Sequence, residues 1–190
     1  MRASAGQAHL PEAAQHAQRA AVHARRPSPR RPRTIVLGMG NPILSDDAVG
    51  IVLASALKQR LENLPGVDVI EECCVGGLNL LDLITGYDRL IALDSIRTIG
   101  GVPGAWYAFD GTALRETMHL RNVHDANFAT ALALGRHMGS HLPQDRDCHV
   151  VAVEVDDNMT FSERLTPALE TALPGLLDDI STHVLMILAA

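Results

Sequence analysis

The sequence predicts an α/β fold, a three-layer sandwich in which helices flank a mostly parallel, doubly wound sheet of about five strands. Short continuous apolar runs, which are typical of strands buried on both faces, alternate with segments whose apolar side chains recur at helical spacing. Of the 190 residues, 47% are hydrophobic but only six are aromatic, so we expect one sizeable aliphatic core.

The predicted strands and helices alternate along most of the chain. We expect strands at 34–40, 67–73, 89–94, 105–110 and 149–155. We expect helices at 48–64, 77–85, 127–139 and from about Thr166 to the C-terminus, with Pro174 kinking or dividing the last one. On the first helix, the apolar positions at helical spacing predict the buried face, and they are Val49, Val52, Leu53, Ala56, Leu57 and Leu61.

Charge divides the chain into a basic extension and an acidic body. Residues 1–33 contain seven Arg and one Glu, whereas the whole chain has a net charge of −6. The extension is rich in Arg and Pro and offers little apolar surface, so we predict that it is disordered and place a single packed domain at 34–190. The acidic body argues against binding to nucleic acid, because phosphate recognition needs clustered Lys and Arg.

Cysteine content and hydropathy indicate the cellular compartment in which we expect the protein. The three cysteines, Cys73, Cys74 and Cys148, suggest no disulfide framework, and this favours a reducing environment. No continuous apolar run reaches the roughly 18 residues that a membrane span requires, and the N-terminus has no secretory signal pattern. We therefore expect a cytoplasmic monomer with no membrane partner.

Polar side chains gather where the predicted strands end. Asp47 follows the first strand, Asp94 ends the third, and His124 precedes the helix that follows the fourth. Doubly wound sheets bind ligands at the carboxyl ends of their strands, so these three residues can converge there. Two carboxylates and an imidazole suit a borderline metal such as nickel or zinc, which could polarise a peptide carbonyl or activate water. The alternative is that they are a helix cap, a loop contact and a solvated histidine.

The glycines at 38–41, GMGN, invite comparison with nucleotide-binding loops. The segment lacks the third glycine of the dinucleotide fingerprint, since Ile43 stands there, and no Lys-Ser or Lys-Thr pair of a phosphate-binding loop follows. Asp46 and Asp47 would also repel phosphate. We interpret the glycines as a tight turn from strand to helix.

Four segments together resemble the hydrogenase maturation proteases. TIVLGMGNPILSDDAVGIVLASAL is similar to the family's first strand, Gly-x-Gly-Asn turn and acidic pair, and DRLIALDSI is similar to its strand that ends in an essential Asp. NVHDANFATALALG is similar to the family's His-led helix, and RLTPALETALPGLL to its Leu-Thr-Pro segment and final helix. The resemblance covers residues 34 to about 180, which is nearly everything except the basic extension.

This resemblance implies an endopeptidase that removes the C-terminal extension of a NiFe-hydrogenase large-subunit precursor after nickel insertion. It implies that Asp47, Asp94 and His124 are both the metal ligands and the catalytic residues. Nickel would arrive with the precursor, and no organic cofactor is expected. The residues that would contact the substrate are Gly40, Asn41, Asp46, Glu72, Cys73 and Cys74.

The stretch after the second strand departs from the family's pattern. The family commonly has Gly-Gly-Thr there, where this chain has Cys73-Cys74-Val75. The cysteines are most simply interpreted as small buried side chains, although one thiolate could add a soft ligand for nickel. A cysteine protease with Cys74 as nucleophile and His124 as base is disfavoured, because the nearby carboxylates oppose a thiolate.

Two further hypotheses stay open. The altered loop favours a non-catalytic, nickel-dependent binding or chaperone module for hydrogenase assembly. The other hypothesis is a small-molecule hydrolase or phosphorylase on a similar sheet, although an Asp-rich site without basic residues argues against phosphate chemistry. Glu154, Asp156 and Asp157 follow the fifth strand, and we expect them to form a solvated acidic loop.

Overall fold

A computed structural model of the chain describes residues 31–116 and 123–190, apart from the side chains of 114–116, 123–127 and 129. The predicted extension at 1–33 lies outside the described residues except for its last three, so its disorder and its boundary stay predictions. Arg33 contacts the domain: its backbone N–H donates to Asp88 (2.7 Å), and its guanidinium carbon lies 4.5 Å from the centre of the Tyr87 ring.

In the described residues, five strands form one sheet: β1 (Thr34–Met39), β2 (Val67–Cys73), β3 (Arg89–Ile96), β4 (Trp106–Asp110) and β5 (Cys148–Glu154). Their order is β2-β1-β3-β5-β4, and neighbouring strands are parallel except for β4 and β5. The predicted α/β fold with a mostly parallel, doubly wound sheet is confirmed. The chain leaves β1 toward β2 and returns to β3 on the other side, so the topological switch point lies between β1 and β3.

Helices cover both faces of the sheet: α1 (Val49–Leu61), α2 (Asn79–Ile84), α3 (Gly111–Glu116), α4 (Val123–His137) and α5 (Pro167–Ala189). Side chains alternate between the faces along each strand. Ile91 and Leu93 of β3 therefore join the cluster beneath α1 and α5, whereas Leu90 joins the opposite cluster beneath α2 and α4. Two apolar cores on a shared sheet give the three layers that the sequence predicted.

The observed elements differ from the predicted ones in five places. β3 continues to Ile96 because its last residues pair with β5, and α4 begins at Val123, so that His124 lies inside the first helical turn rather than before it. α5 is one continuous helix that Pro174 does not divide. The acidic pair lies in a short 3-10 turn, Ser45–Ala48, that precedes α1, and α3 is a helix that the sequence did not predict.

The buried face of α1 differs from its apolar pattern. Val52 and Ala56 are partly exposed, and Gly50 and Ala54 are buried in their place. The reason is close packing, since a Cβ on Gly50 would lie 2.3 Å from the Leu93 carbonyl oxygen and 2.4 Å from that of Met39. Small residues let α1 approach the sheet beside the switch point.

A register shift separates the two halves of β2. Leu37 pairs with Ile70, but Met39 pairs with Cys73, so β2 has one residue more than β1 between these pairs. Before the shift, Glu71 faces α1, where it accepts hydrogen bonds from Ser55 and Lys58. After it, Cys73 joins the cluster under α2 and α4. Such bulges re-aim side chains, and this one lies at the carboxyl end of the sheet.

The long helix α5 has 23 residues and is apolar enough, by length and composition, to cross a membrane. Its inner face packs against the sheet, and the residues that it contributes to the core are Leu169, Leu176, Ile180 and Val184. Only 22% of its apolar window is buried, and a single helix of this kind is weak evidence for a membrane span.

Candidate functional site

Two hydrogen bonds hold the Asp47 carboxylate at the carboxyl edge of the sheet. One oxygen accepts from the Asn41 backbone N–H (2.8 Å), and the other accepts from the Ser95 hydroxyl (2.7 Å). Because Asn41 follows β1 and Ser95 belongs to β3, these bonds fasten Asp47 at the switch point, where doubly wound sheets bind ligands. Asp47 is half-buried, so its carboxylate is positioned by the fold while part of it stays accessible.

Asp94 lies beside Asp47 but belongs to the other face of the sheet. Leu90 of β3 faces α2 and α4, and strand alternation places Asp94 on that same side. Ser95 lies on the opposite side, from which Asp47 approaches. The Ser95 backbone N–H donates to Asp94 (2.8 Å), so one serine contacts both carboxylates. The structure therefore brings together two of the three predicted site residues.

The third predicted residue, His124, lies in the first turn of α4, and its side chain is outside the described residues. Four residues later Phe128 packs against the cluster that contains Cys73. That its imidazole joins Asp47 and Asp94 stays a prediction.

The turn after β1 depends on Gly40. This glycine has a φ of 133°, and a Cβ at this position would lie 1.9 Å from the Asp47 carbonyl oxygen. The Asn41 side chain accepts a hydrogen bond from the Ile43 N–H (3.2 Å), which closes the turn. The interpretation of these glycines as a tight strand-to-helix turn is confirmed, and the turn delivers Asp47 to the site.

Asp46 has a structural position, which differs from the substrate contact that the sequence predicted. Its side chain is fully buried. It accepts hydrogen bonds from the backbone N–H (2.7 Å) and hydroxyl (2.9 Å) of Thr166, and from the N–H groups of Asp156 (3.4 Å) and Asp157 (3.3 Å). The two aspartates look equivalent in the sequence, but the 3-10 turn directs one into the protein and the other toward the sheet edge.

The adjacent cysteines have different environments. Cys73 is buried in the core, as expected, whereas Cys74 is exposed, so the interpretation of both as buried side chains is wrong for Cys74. Burial and the charge of Asp94 raise the pKa of Cys73. Desolvation, the hydrogen bond to Glu72 and the charge of Asp47, among other causes, raise the pKa of Cys74. The raised pKa leaves little thiolate at neutral pH, which argues against a cysteine nucleophile.

Glu154 is buried rather than part of a solvated acidic loop. Its carboxylate accepts hydrogen bonds from both the backbone N–H and the hydroxyl of Thr98. Gly101 packs against it so closely that a Cβ there would overlap the carboxylate. Of the three acidic residues predicted in this loop, Asp156 is exposed and Asp157 is half-buried. Glu154 therefore fastens the loop after β3 to the end of β5.

The donor atoms at this edge fit a metal that brings further ligands of its own. Among the described side chains, no three His, Cys, Asp or Glu residues are arranged to hold a metal ion. Asp47 and Asp94 supply carboxylate oxygens, and His124 would supply the imidazole nitrogen that nickel favours. A metal site with so few protein donors leaves coordination positions open for a substrate.

Ser95 is a site residue that sequence reasoning missed. The only signal for it is its position directly after Asp94. Strand alternation places the two side chains on opposite faces, so sequence alone gives no reason to join them in one site. The contact becomes evident only once α1 is known to begin beside Ser95.

Comparison with known proteins gives a consistent result. A family model described as hydrogenase maturation protease matches residues 51–183. The hydrogenase expression/formation protein HupD of Thiocapsa roseopersicina is 26% identical over 152 residues, which cover 76% of this chain and 68% of that protein. The hydrogenase 2 maturation protease of Escherichia coli is 38% identical over 72 residues, or 38% of this chain and 43% of that protein.

The fold is also similar to that of solved structures. The hydrogenase maturating endopeptidase HybD of E. coli matches with a TM-score of 0.61 and 25% identity, over 78% of this chain and 89% of that one. The maturation protease HybD of Thermococcus kodakarensis matches with a TM-score of 0.60 and 18% identity, over 79% and 97% of the two chains. The second likeness supports the fold alone.

Proposed function

This chain belongs to the hydrogenase maturation protease family, and from that premise we propose that it is the endopeptidase that removes the C-terminal extension of a NiFe-hydrogenase large-subunit precursor. The observation that carries the proposal is the pair of carboxylates, Asp47 and Asp94, at the switch point of the sheet. Ser95 contacts both of them, so the pair is organised before any substrate arrives.

In this proposal, nickel is part of the substrate. Asp47, Asp94 and His124 would bind the nickel of a loaded precursor, and a bound metal polarises a carbonyl or lowers the pKa of water. Ser95 and the Asn41 N–H hold the Asp47 oxygens in place, which reduces the entropy lost on binding. A site with only three protein ligands would bind free metal weakly. Cleavage would therefore depend on nickel that has already been inserted into the precursor.

Exposed apolar side chains beside the site fit a protein substrate. Ile43 lies in the turn that delivers Asp47, and its carbonyl accepts a hydrogen bond from the Ser162 N–H (3.1 Å). That contact brings the loop carrying Met159 and Phe161 next to the turn, and these side chains are 73% and 80% exposed. Clustered exposed apolar residues are typical of protein-binding surfaces. They support a folded precursor as the substrate.

The compartment and assembly state are part of the same proposal. We place the protein in the cytoplasm as a monomer, where its substrate is assembled and its thiols stay reduced. Its three cysteines are unpaired with one another, which is consistent with a reducing compartment.

Mass spectrometry of the precursor after incubation with this protein tests the proposed function. The purified chain is incubated with the nickel-loaded and nickel-free large-subunit precursor, and the products are weighed by mass spectrometry. We expect a short C-terminal peptide to be lost from the nickel-loaded form alone. Asp47→Asn should abolish this loss because it removes the negative charge of a predicted metal ligand, and His124→Ala should abolish it because it removes a predicted ligand altogether.

Asp156→Asn is the matched control for Asp47→Asn, since it changes an exposed carboxylate on a neighbouring loop. It should cleave as the wild type does. Binding of the nickel-loaded precursor without any cleavage would reject the endopeptidase and favour the non-catalytic binding module instead. Cleavage by Asp47→Asn at the wild-type rate would remove Asp47 from the site.

A further inference from the structure

Two loops at the carboxyl end of the sheet direct large apolar side chains into solvent. In the loop that joins β3 to β4, Ile99 is 100% exposed and Val102 is 67% exposed. In the loop that follows β5, Met159 and Phe161 are 73% and 80% exposed. Single exposed apolar residues are ordinary, but several of them in adjoining loops indicate a binding surface.

These loops leave the sheet side by side. Ile96 at the end of β3 pairs with Glu154 at the end of β5, and the next N–H, that of Val155, donates to the Ile96 carbonyl (2.9 Å). The loop after β5 then reaches the turn after β1, where the Ser162 N–H donates to the Ile43 carbonyl (3.1 Å). We call the exposed apolar residues of these three segments the apolar tip surface, and they are Ile43, Ile99, Val102, Met159 and Phe161.

Hydrogen bonds inside the protein hold both loops in place. Thr98 donates its backbone N–H and its hydroxyl to the buried carboxylate of Glu154. The Asp157 carboxylate accepts from the backbone N–H groups of Met159 and Thr160, both at 3.0 Å. The polar groups of these loops thus bond within the protein while the apolar side chains face solvent. Because loops that are already ordered lose less entropy on binding, this arrangement suits a docking surface.

The position of the apolar tip surface identifies its partner. It is continuous with the sheet edge where Asp47 lies, since Ile43 belongs to the turn that delivers Asp47. A protein that reaches this edge with its nickel site also meets the loop tips. We propose that the apolar tip surface docks an apolar area on the folded body of the nickel-loaded large-subunit precursor, an inference that rests on the proposed function. The carboxylates would contact the nickel, and the tips would supply affinity for the protein around it.

The backbone of these loops favours a folded partner over an extended peptide. A peptide that binds as an added strand is held mainly by main-chain hydrogen bonds. Several N–H groups of the loops already donate within the protein, and they belong to Thr98, Gly101, Met159, Thr160 and Ser162. The loops offer apolar side chains instead, which match the apolar centre of an interface between folded proteins. The C-terminal extension of the precursor should therefore bind poorly here by itself.

Binding of the nickel-loaded precursor, measured by biolayer interferometry, tests this surface separately from cleavage. In the double variant Met159→Ser/Phe161→Ser, we expect Kd to rise at least about tenfold, because large apolar contacts are lost. Ile99→Ser, in the other loop, should raise it about threefold or more. Met138→Ser is the matched control and should bind as the wild type does, since Met138 is 74% exposed but follows α4, near the amino end of β3. Circular dichroism checks that each variant is folded.

The kinetics of cleavage provide a second measurement. The double variant should raise KM with little change in kcat, because it removes binding that the ground state and the transition state share. A synthetic peptide with the sequence of the C-terminal extension should not displace the precursor.

Wild-type affinity in both the double variant and Ile99→Ser would overturn the inference, and so would displacement of the precursor by the peptide. If sedimentation velocity shows a dimer of this protein that the double variant loses while precursor binding is unchanged, the surface belongs to a second copy and the inference is also overturned. Affinity that depends on Phe161, together with a wild type that leaves the precursor uncut, would retain the docking surface and reject the endopeptidase.

Discussion

At the scale of single residues, Ser95 is the link between the two carboxylates of the site. Its hydroxyl donates to Asp47 across the switch point, and its backbone N–H donates to Asp94. A metal-binding carboxylate needs such a partner, because an oxygen that is free to rotate must be ordered when the substrate binds. We therefore regard Ser95 as a positioning residue rather than a catalytic one.

Removal of this hydroxyl should impair catalysis without unfolding the protein. In Ser95→Ala, we expect kcat/KM for the nickel-loaded precursor to fall about 10- to 100-fold, which is typical when the outer partner of a ligand is lost. The circular dichroism spectrum and the urea midpoint should change little. Ser95→Thr keeps the hydroxyl and should restore most of the activity. Wild-type kinetics in Ser95→Ala would show that Asp47 needs no partner.

At the scale of elements, Asp46 joins the turn before α1 to the start of α5. Its carboxylate accepts from the backbone and hydroxyl of Thr166, which is the residue that caps α5, and from the chain after β5. These four hydrogen bonds compensate for burying a charged group. The neighbouring Asp47 depends on the position of this turn, so Asp46 supports the site from within the fold.

Asp46→Asn should destabilise the whole domain. The amide keeps one accepting oxygen but directs an NH2 group at backbone donors, so the free energy of unfolding should fall by about 2–4 kcal/mol. Urea unfolding at neutral pH measures this. Asp156→Asn changes an exposed side chain on the loop after β5, whose backbone contacts Asp46, and should remain within about 0.5 kcal/mol of the wild type. Equal stability of the two variants would contradict the structural role of Asp46.

At the same scale, the register shift in β2 decides which way the two cysteines face. Without it, Cys73 would continue the alternation of Val69 and Glu71 and face α1. The extra residue instead places Cys73 in the other core and leaves Cys74 exposed beside Glu72. The sequence EECCV contains no glycine or proline that marks such a shift, so it could not be predicted.

At the scale of the whole molecule, stability at high pH should depend on a buried thiol. Cys148 begins β5 and is fully buried, and this burial raises its pKa from 9.0 to about 12. In the unfolded chain the same thiol titrates near its ordinary pKa. Between these values the unfolded state binds fewer protons than the folded state, so the free energy of unfolding falls as pH rises.

As pH rises from the pKa of the Cys148 thiol in the unfolded chain to its pKa in the folded protein, the free energy of unfolding of the wild type should fall. We expect this one thiol to lower it by up to roughly 4 kcal/mol. Urea midpoints measured from neutral pH upward would show a steeper decline in the wild type than in Cys148→Ala, which has no thiol to titrate there. Cys74→Ser is the control, since its exposed thiol should change the slope less. Parallel declines in the wild type and Cys148→Ala would show that burial does not hold the thiol neutral.

Much of the architecture could be predicted from the sequence. The positions of β1, β2 and β5 and the alternation of strands with helices follow from local apolar patterning, which depends on residues close together in the chain. The strand-end positions of Asp47 and Asp94 follow from the same pattern, together with the rule that doubly wound sheets bind ligands there. The family resemblance in the same segments agrees with the family to which the chain belongs.

Tertiary structure decided the antiparallel pairing of β4, the unbroken course of α5 past Pro174, and the burial of Glu154. It also decided the different roles of Asp46 and Asp47, the contact between Ser95 and Asp47, and the exposure of Cys74. Each depends on residues that are far apart in the chain and meet only in the folded sheet. The sequence by itself determined the fold class, the family and the strand-end positions of Asp47 and Asp94, because these follow from local pattern and motif. The direction and partners of each polar side chain required the packed structure, because burial and hydrogen bonding are properties of the surroundings and not of the residue.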